Sequence, residues 1–583
     1  MRLEDKLQSK VNLETLRHST SHIMAQAVKR IFPQAKLGIG PPIKDGFYYD
    51  FDLDGAILSQ NLPQIEKEMR RIIEENLPVE KKIVIKKEAE KIFKERNEPY
   101  KLELLEEIPD DEVTLYQQGE FIDLCRGPHL KRTGEVKFFR LLSLAGSYWR
   151  GKEENPMLSR IYGTSFYRKE ELEGYLKRLE EAKRRDHRRL GKDLDLFSVS
   201  SDLGAGFVIY HPKGALLREI IENFEKEEHL KRGYQLVKTP HLSRARLWEQ
   251  SGHLDFYRKN MYLFSSGKED YVIKPMNCPG HILIYKSRIR SYRDLPLRYF
   301  ELGTVYRREE SGVLHGLLRV RGFTQDDAHI FCAPAQLIQE IRGVLQFALF
   351  MMKIFRLGYR INLSTRPTQY IGSLDSWEKA TDALKKALEE EKQDFEIAQG
   401  EGAFYGPKID IQMEDALGRL WQGSTIQVDF NLPERFDLTY IASNGKKKRV
   451  VMIHRVLLGT MERFLGVLIE HWGGAFPVWL SPVQVRILTV TDKEDSFATR
   501  IFQKMGNEGI RVEIDDRNEM LGHKVREAQL DKIPYMLVIG AKEAKDGLVT
   551  IRKRNGENLK EIRLDDFVTA IKSEIRSKQA TGC

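Results

Sequence analysis

Hydrophobic and polar positions divide this chain into stretches of different rhythm. Residues 16–31 place apolar side chains at helical spacing, which predicts an amphipathic helix. Residues 38–52 (G-I-G-P-P-I-K-D-G-F-Y-Y-D-F-D) read as turns feeding an aromatic strand. The stretches 64–96 and 169–190 are densely charged and predict helices. The second has Gly174 as its one glycine and no proline, which suits a helical connector between domains, and its basic end could touch RNA.

From residue 193 onward the rhythm changes. Strand-like runs occur at 207–211, 234–239, 271–273, 297–300, 409–413 and 424–430, set among helices at irregular spacing. Repeated βαβ units would space them evenly, so the pattern predicts a largely antiparallel sheet with helices around it. Pro477 and Pro482 mark a boundary. Beyond it, apolar runs at 483–490, 512–515 and 536–539 alternate with helical patterns, the signature of a small α/β domain. The chain as a whole reads as an α+β multidomain protein.

Bulk properties narrow the class. A chain of 583 residues should hold roughly three to five domains. Hydrophobic residues at 41% and charged residues at 31% fit a globular protein rather than a disordered one. Lys plus Arg number 95 against 86 Asp plus Glu, a net +9 that allows a nucleic-acid partner without requiring one. Cys125, Cys278, Cys332 and Cys583 are too few and scattered for a disulfide scaffold, which favours a reducing compartment. No apolar run approaches the ~20 residues of a membrane span, and the first residues carry no signal core. The expectation is a cytoplasmic protein with no membrane contact.

Candidate chemistry concentrates in a few places. Residues 306–329 read Y-R-R-E-E-S-G-V-L-H-G-L-L-R-V-R-G-F-T-Q-D-D-A-H. Arg307, Arg308, Arg319 and Arg321 bracket a Ser-Gly turn, which predicts an antiparallel hairpin carrying an anion clamp, since guanidinium forks match phosphate oxygens. Gln325, Asp326 and Asp327 then offer acceptors to a cationic or hydroxylated ligand. His18 and His22 lie one helical turn apart, and Cys125 and His129 repeat that spacing in a turn. Their ligand types suit either a zinc site or a general acid/base cluster, and Lys101 and Asp123 join only if the fold brings them in. Cys278, in K-P-M-N-C-P-G-H, is expected at a bend; His454 is expected at the start of an apolar helix. Spacing alone does not join Cys278, His329 and His454. Arg463 sits one helical turn past Gly459, where it could reach a terminal phosphate. Walker, dinucleotide-binding and H-E-x-x-H motifs are missing, so any ATP would be held by arginine side chains.

These residues resemble a known family. Arg307-Arg308-Glu309 looks like motif 2 of the class II aminoacyl-tRNA synthetases, Gly459 to Arg463 like motif 3, and Pro240 like the motif 1 proline. The runs R-V-R-G-F-T-Q-D-D-A-H, N-C-P-G-H and V-M-I-H-R are similar to the threonyl-tRNA synthetases, and H-S-T-S-H and L-C-R-G-P-H resemble that family's editing domain. The match runs nearly end to end. It implies an editing domain over 1–167, a helical connector over 168–192, a class II catalytic domain over 193–476 and an anticodon-binding domain over 477–583.

The resemblance also implies roles. Arg307 would meet the ATP α-phosphate, Glu309 the adenine side, and Arg319 and Arg463 the β- and γ-phosphates, with Phe323 stacked on adenine and Lys408 and Gln422 around the adenylate. Cys278, His329 and His454 would bind one catalytic zinc per subunit with a position open for substrate. Gln325, Asp327, Tyr405 and Gln427 would complete a threonine pocket. Such a zinc rejects valine, whose methyl cannot ligate. Serine lacks only one methyl, worth ~1–3 kcal/mol, so a second hydrolytic site is expected. The resemblance assigns metal-free hydrolysis of seryl-tRNA to His18, His22, Cys125 and His129, with Lys101 and Asp123. Asn518, Arg526, Glu543 and Arg552 would read the anticodon. The implied partners are ATP with Mg²⁺, L-threonine, tRNA(Thr) and a second copy in a C2 homodimer.

Two departures are visible. Many family members begin with a small ubiquitin-like domain, and with 17 residues ahead of His18 this chain is expected to lack it. Gly423 stands where some relatives carry cysteine, with little effect expected. A non-catalytic RNA-binding regulator, or a class II synthetase for another small amino acid, would share part of this pattern. Amino-acid-dependent ATP–pyrophosphate exchange separates them.

Overall fold

The computed structural model describes residues 3–53, 59–152 and 154–578, with side chains from residue 13 onward; Cys583 lies outside the described residues. The chain divides into two compact units, Met1–Glu181 and Ala182–Cys583.

The first unit is built on the helix Leu3–Ile31. Its Leu16, Ile23, Met24, Ala27 and Val28 fall on one stripe and are fully buried. They pack with Phe47, Tyr49 and Phe51 of the aromatic strand Gly46–Asp52, which pairs with Met157–Phe166, itself paired with Phe138–Tyr148. A second, three-stranded sheet joins Val79–Ile85, Glu112–Gln118 and Phe121–Leu124. The strand Val79–Ile85 corrects the expectation of continuous helix over 64–96. The helix Leu62–Glu75 ends at Asn76, whose left-handed backbone (φ 49°) stops it, and the charged run 79–85 then serves as a solvent-facing strand.

In the second unit, the stretch read as one helix over 169–190 breaks. Lys169–Arg184 ends, and Asp186 caps a new helix, His187–Asp193, by accepting from the Arg188 amide. The central sheet has eight strands, in the order Gln235–Leu236, Leu297–Tyr306, Gly322–Cys332, Val451–Val456, Leu420–Asp429, Lys408–Glu414, Gly358–Ser364 and Glu396–Ala398. The inner pairings are antiparallel, as the irregular spacing predicts. One face is apolar and lies under the helices Pro212–Lys231, Leu337–Phe355, Leu374–Glu390 and Met461–Trp472. The opposite face carries the polar cavity described below. The runs expected at 207–211 and 234–239 form only the two-residue strands Ile209–Tyr210 and Gln235–Leu236. The last part is a five-stranded α/β sheet, with Val512–Asp515, Val485–Thr489 and Tyr535–Ile539 parallel and Leu548–Lys553 and Asn558–Arg563 antiparallel.

Candidate functional site

Alternation along strands decides which side chains meet. In Gly322–Cys332, Gln325, Asp327 and His329 point to one face, and Asp326, Ala328 and Ile330 to the other. Across the sheet, Lys408 stands opposite Gln427, Gln427 opposite His454, and His454 opposite His329. These side chains line one cavity of about 830 Å³. Cys278, Arg307, Glu309, Arg319, Phe323, Tyr405, Gln422 and Arg463 line it too, so the fold brings together the residues that the family resemblance points to for nucleotide, metal and amino acid.

Two local expectations are corrected. Cys278 is not held in a bend but is the first residue of the helix Cys278–Lys286, where Pro279 is tolerated because first-turn amides need no intrahelical partner. His454 lies inside the strand Val451–Val456, and the helix begins only at Met461. A strand buried on both faces, with apolar residues flanking His454 and Arg455, lacks the alternation that would mark it as a strand in sequence.

The donor atoms of Cys278, His329 and His454 lie within 4.8 Å of one another. Their tautomers follow from their neighbours. His454 directs Nε2 at the Asp429 carboxylate (2.9 Å), so Nε2 carries the proton and Nδ1 the lone pair. Glu301 lies 3.3 Å from His281 Nε2, which leaves His281 Nδ1 to accept from His329 Nδ1 at 2.8 Å. His329 Nε2 is then a second lone pair, and it faces His454 Nδ1 at 3.0 Å. Two converging lone pairs beside a thiol are the arrangement of a cation site, and this cluster can hold a metal ion. Burial pushes the Cys278 thiol well above its ordinary pKa, so it becomes a thiolate ligand only with a cation beside it. Sequence reasoning missed His281, Asp429 and Glu301. The one available signal was His281 lying three residues from Cys278, on the same helical face.

Beside this cluster, Asp327 accepts from Asn277 Nδ2 at 3.0 Å, and the Tyr405 hydroxyl donates to Gln427. Burial raises the Asp327 carboxyl above its usual range. Lys408 pairs with Asp410 at 2.8 Å, and Gln422 donates to the same carboxylate at 2.7 Å. At the other end, Arg307, Arg319 and Arg463 converge. Arg319 is held by Glu309 (2.9 Å), and the Arg307 guanidinium lies 5.2 Å from the Phe323 ring centre. Burial, with Arg307 and Arg319 nearby, lowers the Arg463 pKa.

The anion clamp differs from its sequence reading. The hairpin forms, pairing Tyr306 with Gly322, but all four arginines lie in its loop rather than on its strands. Arg321 is spent on the loop itself, donating to the Glu309 carbonyl (2.8 Å), the Ala205 carbonyl and Ser311 Oγ, and Arg308 is exposed away from the cavity. Asp326 is the other correction. It faces away from the cavity and accepts from the amides of Leu457 (2.6 Å), Leu458 (3.1 Å) and Gly459 (3.1 Å). It therefore fixes the turn before the Arg463 helix, where Gly459 has a φ of 87°.

A second cluster lies in the first unit. His18 and His22 on the long helix both lie 4.2 Å, ring centre to ring centre, from His129. Cys125 Sγ is 3.3 Å from His18 Nε2 and 3.2 Å from His129 Nε2. The fold does bring in Lys101 and Asp123: they pair at 2.5 Å, fully buried, and Asp123 reaches His22 at 3.5 Å. Tyr49, missed in the sequence, donates to Asp123 at 2.6 Å, and Ser19 bridges His129 and the Leu130 amide. Burial lowers the pKa of His18, His22 and His129 and raises Cys125 to about 11. The site thus presents neutral imidazoles and a protonated thiol, a set able to hydrogen-bond and orient water. The same four donor atoms lie within 4.8 Å, so geometry alone also admits a cation.

In the α/β part, Asn518 lies on an exposed bend and Arg526 on the exposed side of Leu521–Leu530. Arg552 stands opposite Met536, with its Nε buried and lacking a hydrogen-bond partner among the described residues. Glu543 is engaged, accepting from the Gly540 amide (3.1 Å) and Thr550 Oγ1 (2.8 Å).

Comparison with known proteins agrees with this layout. Residues 262–472 match the tRNA synthetase class II core domain (G, H, P, S and T), 484–574 an anticodon binding domain, and 113–162 the threonyl and alanyl tRNA synthetase second additional domain. The threonine–tRNA ligase of Citrifermentans bemidjiense is 57% identical over 97% of this chain and 89% of its own. That of Thermotoga neapolitana is 52% identical over 97% and 89%. Among solved structures, the RNA binding domain of threonyl-tRNA synthetase from Cryptosporidium parvum is 40% identical with a TM-score of 0.65, covering 67% of this chain and 98% of that one. The putative threonyl-tRNA synthetase ThrRS-1 from Aeropyrum pernix is 32% identical with a TM-score of 0.60, covering 68% and 97%.

Proposed function

Because the chain belongs to the threonine–tRNA ligase family, we propose that it activates L-threonine with ATP and Mg²⁺ to threonyl-adenylate, transfers threonine to the 3′ end of tRNA(Thr), and hydrolyses mischarged seryl-tRNA(Thr). The observation that carries this is the pair of imidazole lone pairs converging beside Cys278 in the same cavity as three arginines. An amino-acid selector and a polyphosphate holder sit within one substrate's reach.

Activation is an in-line attack by the threonine carboxylate on the α-phosphorus. Arg307 meets the charge that develops there, while Arg319 and Arg463 hold the β- and γ-phosphates. Phe323 stacks on adenine and Glu309 accepts from its edge; Lys408 and Gln422 hold the adenylate. Asp327 receives the threonine amine, with Gln325, Tyr405 and Gln427 closing the pocket. Cys278, His329 and His454 would hold one zinc per subunit, which would supply a Lewis acid for the threonine amine and hydroxyl and so discriminate against valine, whose methyl cannot ligate. His18, His22, Cys125 and His129 hydrolyse the seryl ester without a metal, with Asp123 and Lys101 orienting His22. Asn518, Arg526, Glu543 and Arg552 read the anticodon. The domains are 1–167 for editing, 168–192 as connector, 193–476 for catalysis and 477–583 for the anticodon.

The protein works as a C2 homodimer through the segment around Pro240. Leu236, Leu242 and Leu283 near it are each about half exposed, at 51%, 50% and 50%, an apolar patch suited to a second copy. The compartment that goes with this reading is the cytoplasm, where tRNA is charged; among the described residues, no helix is long and apolar enough to cross a membrane.

Exchange of pyrophosphate into ATP, measured with threonine, serine, valine, glycine and proline alongside metal analysis, tests the reading. Threonine should dominate, serine follow and valine fail, with one zinc per chain; no preference for threonine would overturn it. Asp326 gives a narrower test. Asp326→Ala strips three backbone donors of their acceptor, so exchange should fall about tenfold or more, with the KM for threonine little changed. A KM change confined to threonine would mean that Asp326 serves the amino acid instead.

A further inference from the structure

The return arm of the phosphate-binding loop is held by a side chain from outside the class II core. His187 opens the short helix His187–Asp193 and is fully buried. Its Nδ1 lies 2.7 Å from Glu470 Oε1, and the Leu317 amide points at its Nε2 from 3.0 Å. An amide can only donate, so Nε2 must be the unprotonated nitrogen, and Nδ1 carries the proton to the carboxylate. Both ring nitrogens are used, so Asp186, His187 and Glu470 form a latch rather than a metal site, although their donor atoms lie within 4.8 Å.

Leu317 is in the loop that carries Arg319. Residues 315–319 form a tight turn, with His315 and Arg319 bonded backbone to backbone in both directions (3.1 and 3.3 Å). At Gly316 (φ 49°), a Cβ would meet His187 Nε2 at 2.1 Å, so the turn is pressed against the imidazole more closely than any side chain allows. The next carbonyl, that of Leu318, accepts from Arg463 Nε at 3.2 Å. One helix, Met461–Trp472, thus grips the arm twice: directly through Arg463, and two turns later through Glu470 by way of His187.

We propose that His187 is a positioning residue for the ATP step: it locks the 315–319 turn and so sets where Arg319 presents its guanidinium. This rests on the reading of Arg319 and Arg463 as polyphosphate ligands. It makes the ATP affinity of the core depend on residues 187–192, which lie in the connector segment.

The test compares His187→Phe, His187→Gln and His187→Asn in the full chain. Gln reaches as far as Nε2 and can accept from Leu317; Asn reaches only as far as Nδ1; Phe keeps the shape and neither nitrogen. In pyrophosphate exchange, Phe and Asn should raise the KM for ATP about tenfold, and Gln should restore most of it. The KM for threonine, the zinc content and seryl-tRNA hydrolysis should stay within twofold of wild type. Hydrogen exchange of the unliganded protein should show faster exchange at Leu317 and Leu318 in Asn than in Gln. This comparison stands even if Phe fails to fold. Equal effects on both KM values, an unchanged KM for ATP, or Gln no better than Asn would overturn the latch. A wild-type protein without threonine-dependent exchange would instead overturn the functional reading.

Discussion

Cys278→Ser should abolish threonine-dependent pyrophosphate exchange and empty the metal site. The thiol is 4% exposed and opens a helix whose buried apolar residues Ile282 and Tyr285 pack in the core. Serine has nearly the same shape, so the helix should stay seated and the melting temperature move little. The chemistry changes far more. A soft thiolate suits zinc, whereas a buried hydroxyl neither ionises nor ligates well. Losing an outer-shell partner of a metal typically costs 10–100-fold in affinity or activity, so losing a ligand should cost more than about a hundredfold. The lone pairs of His329 and His454 would then face each other with no cation to hold them. Metal analysis on the same sample as the exchange assay makes the result decisive: full activity in metal-free Cys278→Ser would end the zinc assignment.

His18→Ala combined with His22→Ala should leave exchange within twofold of wild type while seryl-tRNA(Thr) accumulates. The two histidines provide two of the four side chains of the cluster, and His22 is the one that Asp123 reaches. Unchanged hydrolysis of seryl-tRNA by the double variant would remove this cluster from the editing role. The pH dependence follows from the same burial. His18, His22 and His129 all have pKa values lowered by burial, so they are neutral at pH 7 and remain so as the pH falls through 6.5. Cys125, raised to about 11, keeps its proton over the same range. Hydrolysis should therefore be flat from pH 8 to 6.5 and fall only below that. Stability has the same sign. The unfolded chain takes up protons on these histidines near pH 6.5 while the folded one resists, so stability is lost as the pH drops below that value.

How much of this was legible depended on whether a residue acts alone or through alternation. Loop spacing named Arg307 and Arg319 only together with Arg308 and Arg321, and helix spacing named Arg463; the resemblance, not the spacing, chose among the loop arginines. Asp326 could not be separated from Asp327 without knowing which face of the strand is inward, and one residue decides that. His454 was misplaced for a related reason: Val451–Val456 is buried on both faces, and with apolar residues on either side of His454 and Arg455 it has no period to distinguish strand from helix. The strand Val79–Ile85 hid in a charged run because it is exposed at nearly every position. Lys101 and Asp123 show the opposite limit, since contact between residues on separate elements is a property of the fold alone. His187 shows it most fully: its partners lie 130 and 283 residues away.

The transverse row Lys408, Gln427, His454 and His329 has a consequence for how this protein can change. Each member sits on a different strand at the same height, so the row exists only while four strands keep their mutual register. A one-residue insertion in any of them would swing its contribution into the apolar layer beneath and break the row at that point. Insertions and deletions that alter substrate choice are therefore confined to the rim, where the 401–406 loop and the start of the Cys278 helix border the same cavity without sharing the strands' register. In this chain the sheet is a ruler, and new specificities have to be written in its margins.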